Sequence, residues 1–146
     1  MLLLVTGLAH RGKPLESPSL IAHNSFDIAA RIDEHPDSRM RALSIRQPYA
    51  EQILRGTKRF EYRSRPTSIR GRVYIYASLK PGKAEEFDRM RIQPGDLPTG
   101  VLVGTVEITD CSGERGDYKW HLARPRRLQR HLRPTKHPQP AWFNPF

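Results

Sequence analysis

The segment ILRGTKRFEYRSR, residues 53–65, concentrates the side chains best suited to chemistry in this chain of 146 residues. Its one carboxylate, Glu61, lies among five cations, which are Arg55, Lys58, Arg59, Arg63 and Arg65. A carboxylate next to a lysine and an arginine can act as a general acid or base while the cations hold a phosphate. The same residues also fit solvent-exposed ion pairs, which contribute little to stability. The residue types alone leave both interpretations open.

A second basic segment, residues 121–136 (HLARPRRLQRHLRPTK), contains no aspartate or glutamate. Neutralising several phosphates at once gives a protein salt-dependent affinity for nucleic acid. A surface that only faces solvent is the alternative, but such surfaces usually mix charges of both signs. We therefore predict that this segment contacts nucleic acid through Arg124, Arg126, Arg127, Arg130 and Lys136.

The composition indicates a partner of negative charge. The formal net charge is +10 and the pI is about 10.4, so RNA, DNA and anionic lipid are all attracted. The single cysteine, Cys111, excludes an internal disulfide framework and is typical of a reducing compartment, so we expect a cytoplasmic protein. No apolar run approaches the roughly 20 residues of a membrane span, and the apolar start lacks the basic region of a signal peptide. We predict no membrane association.

The sequence gives no support for a metal or a cofactor. His121, His131 and His137 lie ten and six residues apart, which is not the spacing of a zinc site. There is no P-loop and no dinucleotide-binding glycine motif. Cys111 has no evident histidine partner that would make it a nucleophile. We therefore expect neither a metal nor a cofactor.

The residues that lead into the first basic segment predict a short strand and then a helix, over residues 43–56. Pro48 suits the first helical turn, where its missing N–H costs nothing, and Gly56 suits the left-handed position after the last turn. Tyr49 and Ile53 fall on one helical face, which we expect to be core.

Within the first basic segment, residues 53–65, the alternation of side chains predicts a half-buried strand. Phe60 and Tyr62 point to one face, and Glu61 and Arg63 point to the other. Strict alternation would also put Lys58 and Glu61 on opposite faces. A pocket shared by these two residues therefore needs a bulge or a twist near the start of the strand.

Further along, three segments predict strands and one predicts a helix. The strand segments are residues 72–78, 101–111 and 118–128, and the helix runs from Ala84 to about Met90. Gly104 marks a bulge or a close backbone approach within its strand. One early helix followed by short strands in about 105 residues predicts an α+β fold, a small β-barrel with short flanking helices.

The first 39 residues differ from the rest in charge and aromatic content. They carry four basic and five acidic residues, and their one aromatic residue is Phe26. Such a segment can bury little surface against its ordering entropy, so we predict a disordered, poorly structured N-terminal tail over residues 1–39. The domain is then residues 40–146. Met40 begins the regular pattern, and a true translation start at that residue is the alternative explanation of the tail.

Several motifs together resemble the ASCH domain family of the PUA-like superfamily. They are Gln47-Pro48, Gly56-x-Lys58-x-x-Glu61-x-Arg63, Ala77-Ser78, Leu97-Pro98-x-Gly100, Gly104, Asp110-Cys111, Trp120 and Trp142. The resemblance covers nearly all of residues 41–143. It implies a PUA-like β-barrel with a cleft beside the first helix, and the ligand-binding residues expected there are Gln47, Lys58, Glu61, Arg63, Tyr76 and Ser78.

The resemblance implies a module that binds RNA or a nucleotide, because the family is thought to do so. The alternative is a metal-independent hydrolase, either a ribonuclease or a modified-nucleoside amidohydrolase, with Lys58 and Glu61 as its catalytic residues. As a ribonuclease, Glu61 would accept the 2′-hydroxyl proton, and Lys58 and Arg63 would stabilise the phosphorane. An amidohydrolase branch of the family uses a lysine with a threonine three positions later, where this chain has Glu61. A third hypothesis is an interaction module whose cleft takes another ligand.

Overall fold

The computed structural model describes residues 36–146, so the predicted tail lies almost wholly outside the described residues. Within the described part, Asp37 already donates its backbone N–H to the Tyr74 hydroxyl at 3.0 Å. The helices and strands, in chain order, are β1 (Ala42–Arg46), α1 (Tyr49–Leu54), β2 (Phe60–Arg63), β3 (Gly71–Ser78), α2 (Ala84–Met90), a 3-10 turn (Pro94–Asp96), β4 (Val101–Glu114), β5 (Asp117–Leu132) and β6 (Trp142–Phe143). Neither helix has the length and apolar character needed to cross a membrane.

The six strands form one sheet with the order β2-β5-β4-β3-β1-β6. β1 and β3 are parallel neighbours, and every other neighbouring pair is antiparallel. The two longest strands, β4 and β5, are joined by a tight hairpin, and β2 adds to the outer edge of β5. The parallel pair needs a crossover connection, which α1 and β2 supply.

This sheet curls until strands from opposite edges touch. The Arg63 guanidinium on β2 donates to the Ser44 carbonyl on β1 at 2.8 Å, although three strands separate β2 from β1 in the sheet. The rings of Trp120 on β5 and Trp142 on β6 stack with centroids 5.4 Å apart. The result is a curled half-barrel with two short helices, which confirms the predicted α+β, PUA-like fold.

The core fills the inside of the curl, and α1 closes one end of it. Alternate residues of β1, Leu43 and Ile45, pack with residues of β3 and β4 and with Ala50 and Ile53 of α1. The predicted apolar face of the helix is therefore confirmed. A second cluster around Tyr74 occupies the other face of the sheet.

β2 alternates as predicted, but its inner face is the charged one. Phe60 and Tyr62 are exposed, whereas Glu61 and Arg63 are partly buried. Glu61 lies opposite Trp120 in the β2–β5 register, so the two side chains share the inner face of the sheet. The open edge between β2 and β1 is therefore lined by charged side chains of β2 and not by apolar ones.

Two glycines have the roles that their positions predicted. Gly56 follows the C-cap of α1 with a φ of 78°. Gly104 lies at an interruption of the β4–β5 register, where its backbone passes close to the Arg126 carbonyl and the Leu54 side chain. A side chain on Gly104 would clash with both, so only glycine fits there.

Candidate functional site

A cleft of about 690 Å³ opens where the half-barrel is incomplete, between β2 and the C-terminal ends of β1 and β3. Its size falls in the range of small-molecule and cofactor sites, roughly 300–1,000 Å³. The strands contribute Ser44, Arg46, Glu61, Tyr62, Arg63, Tyr76 and Ser78. The segment of residues 137–141, which leads into β6, forms the opposite wall.

One ion-pair cluster lies on β2 and the turn before it, and it consists of Lys58, Glu61 and Arg63. The Lys58 Nζ lies 3.4 Å from Glu61 Oε2, and the Arg63 Nε lies 2.9 Å from Glu61 Oε1. The Glu61 side chain is 12 % exposed and the Lys58 side chain 15 %, so this cluster is not a set of solvated surface charges. Glu61 and Arg63 line the cleft, and Arg63 also spans to the Ser44 carbonyl.

The turn after α1 explains how Lys58 reaches Glu61. The backbone N–H groups of Thr57 and Lys58 both donate to the Gln52 carbonyl, at 3.0 and 3.1 Å. Lys58 therefore belongs to this turn and precedes the first residue of β2, Phe60. The alternation that would separate Lys58 from Glu61 does not apply before the strand begins.

One aromatic ring of the cleft is accessible and another is not. Tyr62 is 55 % exposed, and the Lys58 and Lys119 ammonium groups lie 5.2 and 5.9 Å from its ring centroid. Tyr76 is 5 % exposed and packs edge-to-face on Phe143, and this burial raises the pKa of its hydroxyl. Of these two rings, Tyr62 is the one on which a flat ligand can stack.

Arg46 and Lys80 add positive charge to the exposed part of the cleft. Within residues 36–146 neither side chain has an ion-pair partner, and Glu61, the one acidic residue of the lining, is bound to two cations. The alternation of β1 could have revealed Arg46, because Ser44 and Arg46 alternate with Leu43 and Ile45. No comparable signal marks Lys80 or His137, which lie in connecting segments.

Of the residues expected at the cleft, Ser78 also lines it, whereas Gln47 and Lys58 do not. Gln47 is 2 % exposed, and its amide nitrogen donates to the Pro98 carbonyl at 3.0 Å. Its amide oxygen accepts the backbone N–H of Glu51 at 3.1 Å. Gln47 thus holds the start of α1 against the loop before β4, behind the cleft wall.

The basic segment on β5 meets acids from distant parts of the chain. Arg127 makes a two-pronged pair with Glu51 of α1, with both contacts at 2.9 Å, and Arg55 binds the same carboxylate at 2.8 Å. Burial acts to raise the pKa of Glu51, but the hydrogen bonds and charges of Arg127 and Arg55 outweigh it and lower that pKa.

A similar pair involves Arg124, which binds Glu107 of β4. The hydrogen bond from Arg124 is the main cause that lowers the pKa of Glu107. None of the five basic residues predicted to contact nucleic acid lines the cleft. Arg130 lies exposed within the interruption of the β4–β5 register between Arg127 and Leu132, and Lys136 lies exposed after β5. Their role in binding stays a prediction.

Comparison with known proteins identifies a family and two relatives that this sequence resembles. The sequence model of the ASCH domain matches residues 43–136, which include the cleft residues of β1, β2 and β3. Activating signal cointegrator 1 of Homo sapiens is 32 % identical over 127 residues, covering 75 % of this chain and 22 % of the relative. The protein of the same name from Mus musculus is 34 % identical over 84 residues, covering 50 % of this chain and 14 % of the relative.

This chain therefore spans less than a quarter of the length of these relatives. The matching family has a PUA-like fold associated with RNA binding. The family match covers well over half of the chain, and the half-barrel agrees with it. The chain belongs to the ASCH domain family.

Proposed function

We propose that this domain binds RNA, or a nucleotide, in the cleft between β2 and β1. The observation that supports this proposal best is the combination of an accessible ring, Tyr62, with cations that surround it. Aromatic stacking accepts any base, and nearby cations hold the phosphates. A cleft of this composition suits single-stranded RNA better than a rigid duplex, because bases of a single strand are free to stack on protein.

The cations in the cleft and beside it have different roles in this proposal. Arg63 is held by Glu61 and by the Ser44 carbonyl, so its guanidinium is positioned before a ligand arrives. Arg46 and Lys80 have no ion-pair partner within residues 36–146 and are the groups available to bind phosphate. Lys58 lies between the rings of Tyr49 and Tyr62, where it strengthens the positive potential at the stacking surface.

Replacing Tyr62 tests the proposal. Tyr62→Ala should weaken binding of a labelled single-stranded RNA about tenfold, since one stacked base contributes about 1–3 kcal/mol. Fluorescence anisotropy at low salt measures the affinity. Phe60→Ala is the matched control, because Phe60 is an exposed aromatic residue of the same strand that does not line the cleft. If the unmodified protein binds no RNA at low salt, the proposal is wrong.

The contact between Lys58 and Glu61 favours hydrolysis as a second candidate function. An acid and a lysine 3.4 Å apart and mostly shielded from solvent can exchange protons with a bound ribose. In the presence of EDTA, a ribonuclease should cleave labelled RNA, and Glu61→Gln should bind RNA but cleave it at least about a hundredfold more slowly. A protein that only binds should cleave nothing, with or without the Glu61→Gln substitution.

A further inference from the structure

A second pocket of about 330 Å³ lies next to the cleft, between the end of α1 and the middle of β5. Its floor consists of three buried core side chains, Ile53, Val106 and Leu122. Gly56 borders the pocket, and no atom lies within 4 Å of the position that a Cβ on Gly56 would occupy. The pocket is therefore an apolar depression that is open at the turn after α1.

A bulge in β5 shapes the far wall of this pocket. Ala123 pairs with Glu107, and Arg126 pairs with Thr105, so β5 has two residues, Arg124 and Pro125, where β4 has one, Val106. Arg124 adopts a φ of 48°, in the left-handed region. Bulges redirect the side chains around them and are often found next to functional sites.

The rim of the pocket is cationic. Arg59 and Arg124 line it, and its lining includes no acidic residue. Arg124 is paired with Glu107, whereas Arg59 has no ion-pair partner within residues 36–146. An apolar floor under an uncompensated guanidinium fits a ligand that has a flat, weakly polar body and an attached anionic group.

Lys58 forms the partition between the two sites. Its side chain lines the second pocket, while its ammonium group contacts Glu61 and lies 5.6 and 5.2 Å from the ring centroids of Tyr49 and Tyr62. Those three residues all line the cleft. Lys58 thus borders the second pocket and contacts residues of the cleft, so a ligand that reaches past Lys58 would occupy both sites.

From this juxtaposition we infer that the second pocket is a second nucleotide subsite, with a base on its apolar floor and a phosphate on Arg59. The inference depends on the proposed function, because the cleft must take the first nucleotide. The occupant is either the next nucleotide of a bound strand or a free mononucleotide, which have the same chemistry.

Two variants alter the second pocket and leave the lining of the cleft intact. Arg59→Gln removes the cation that has no ion-pair partner within residues 36–146, and it should fold normally because the Arg59 side chain is exposed. Ala123→Leu fills the pocket from its wall. Both should bind a uridine tetranucleotide roughly tenfold more weakly than the unmodified protein, since a contact with a charged partner is lost or blocked. Arg115→Gln, a charge-matched change in the β4–β5 turn, should leave the affinity unchanged.

The stoichiometry of UMP binding distinguishes the two sources of the ligand. If the unmodified protein binds two UMP molecules and Ala123→Leu binds one, the pocket accepts free nucleotides. If both proteins bind one UMP and only the tetranucleotide affinity falls, the pocket is filled as part of a strand. If neither variant weakens the tetranucleotide while Tyr62→Ala does, the second subsite is wrong and the cleft function stands. If the unmodified protein binds neither probe, the cleft function is wrong, and the subsite with it.

Discussion

At the scale of single residues, Arg63 joins the two sides of the cleft, and Glu61 holds the Arg63 guanidinium in place. Each carboxylate oxygen of Glu61 contacts one cation, and one of these, Arg63, reaches across to the β1 backbone. Exposed ion pairs contribute little because solvent screens them, but these side chains are mostly shielded. The cluster therefore positions its cations before any ligand binds, which lowers the cost of ordering them on binding.

A prediction at the same scale concerns Gly104. A methyl group on residue 104 would clash with the Arg126 carbonyl and with Leu54, and a backbone carbonyl in a ladder cannot move aside easily. We expect Gly104→Ala to lower the free energy of unfolding by about 1–3 kcal/mol, the usual cost of overpacking. Urea denaturation measures the change.

Gly95→Ala is the matched control for this substitution. Gly95 lies in the 3-10 turn, has no atom within 4 Å of its virtual Cβ and does not have a positive φ. Its replacement should change the free energy of unfolding by no more than about 0.5 kcal/mol. Equal effects of the two substitutions would show that the close approach at Gly104 is not what restricts that position.

At the scale of elements, hydrophobic spacing predicted every strand around the cleft except the two-residue β6, together with both helices. Periodicity reports which residues share a face, and that is why the apolar face of α1 and the alternation of β2 were recoverable. It does not report which face meets solvent. Tyr62 is exposed and Glu61 is turned inward because β2 borders the open edge of the half-barrel. That position depends on the strand order of the whole sheet.

The basic segment on β5 shows a second limit of local sequence. Its lack of acids predicted a free cationic track, but Arg127 and Arg124 are paired with Glu51 and Glu107, which lie 76 and 17 residues away in the chain. Only the packing of α1 and β4 on β5 brings these acids into reach. The wall formed by residues 137–141 is likewise set by the two-residue pairing of β6 with β1, which no periodicity reveals.

At the scale of the whole molecule, the excess of basic residues makes the fold sensitive to acid through its few paired carboxylates. Glu51 joins α1 to β5 through Arg127, and Glu107 joins β4 to β5 through Arg124. For both glutamates the pKa in the folded protein is lower than the ordinary value of 4.5. Protonation of either one removes the negative charge that its arginine partners face.

The sign of the pH dependence follows from these lowered pKa values. Near the ordinary value of 4.5 the unfolded chain binds more protons than the folded chain, so the free energy of unfolding falls as the pH falls. The contribution of Glu51 is complete above the ordinary value and is lost progressively below it, as the pH passes through the lower pKa of the folded protein.

Glu51→Gln should therefore cost about 1–2 kcal/mol at pH 7 and far less at pH 3, as measured by urea denaturation at both values. Glu114→Gln, at an exposed carboxylate at the end of β4 without an ion-pair partner within residues 36–146, should follow the unmodified protein at both pH values. If Glu51→Gln costs as much at pH 3 as at pH 7, ionisation of this carboxylate is not what joins α1 to β5.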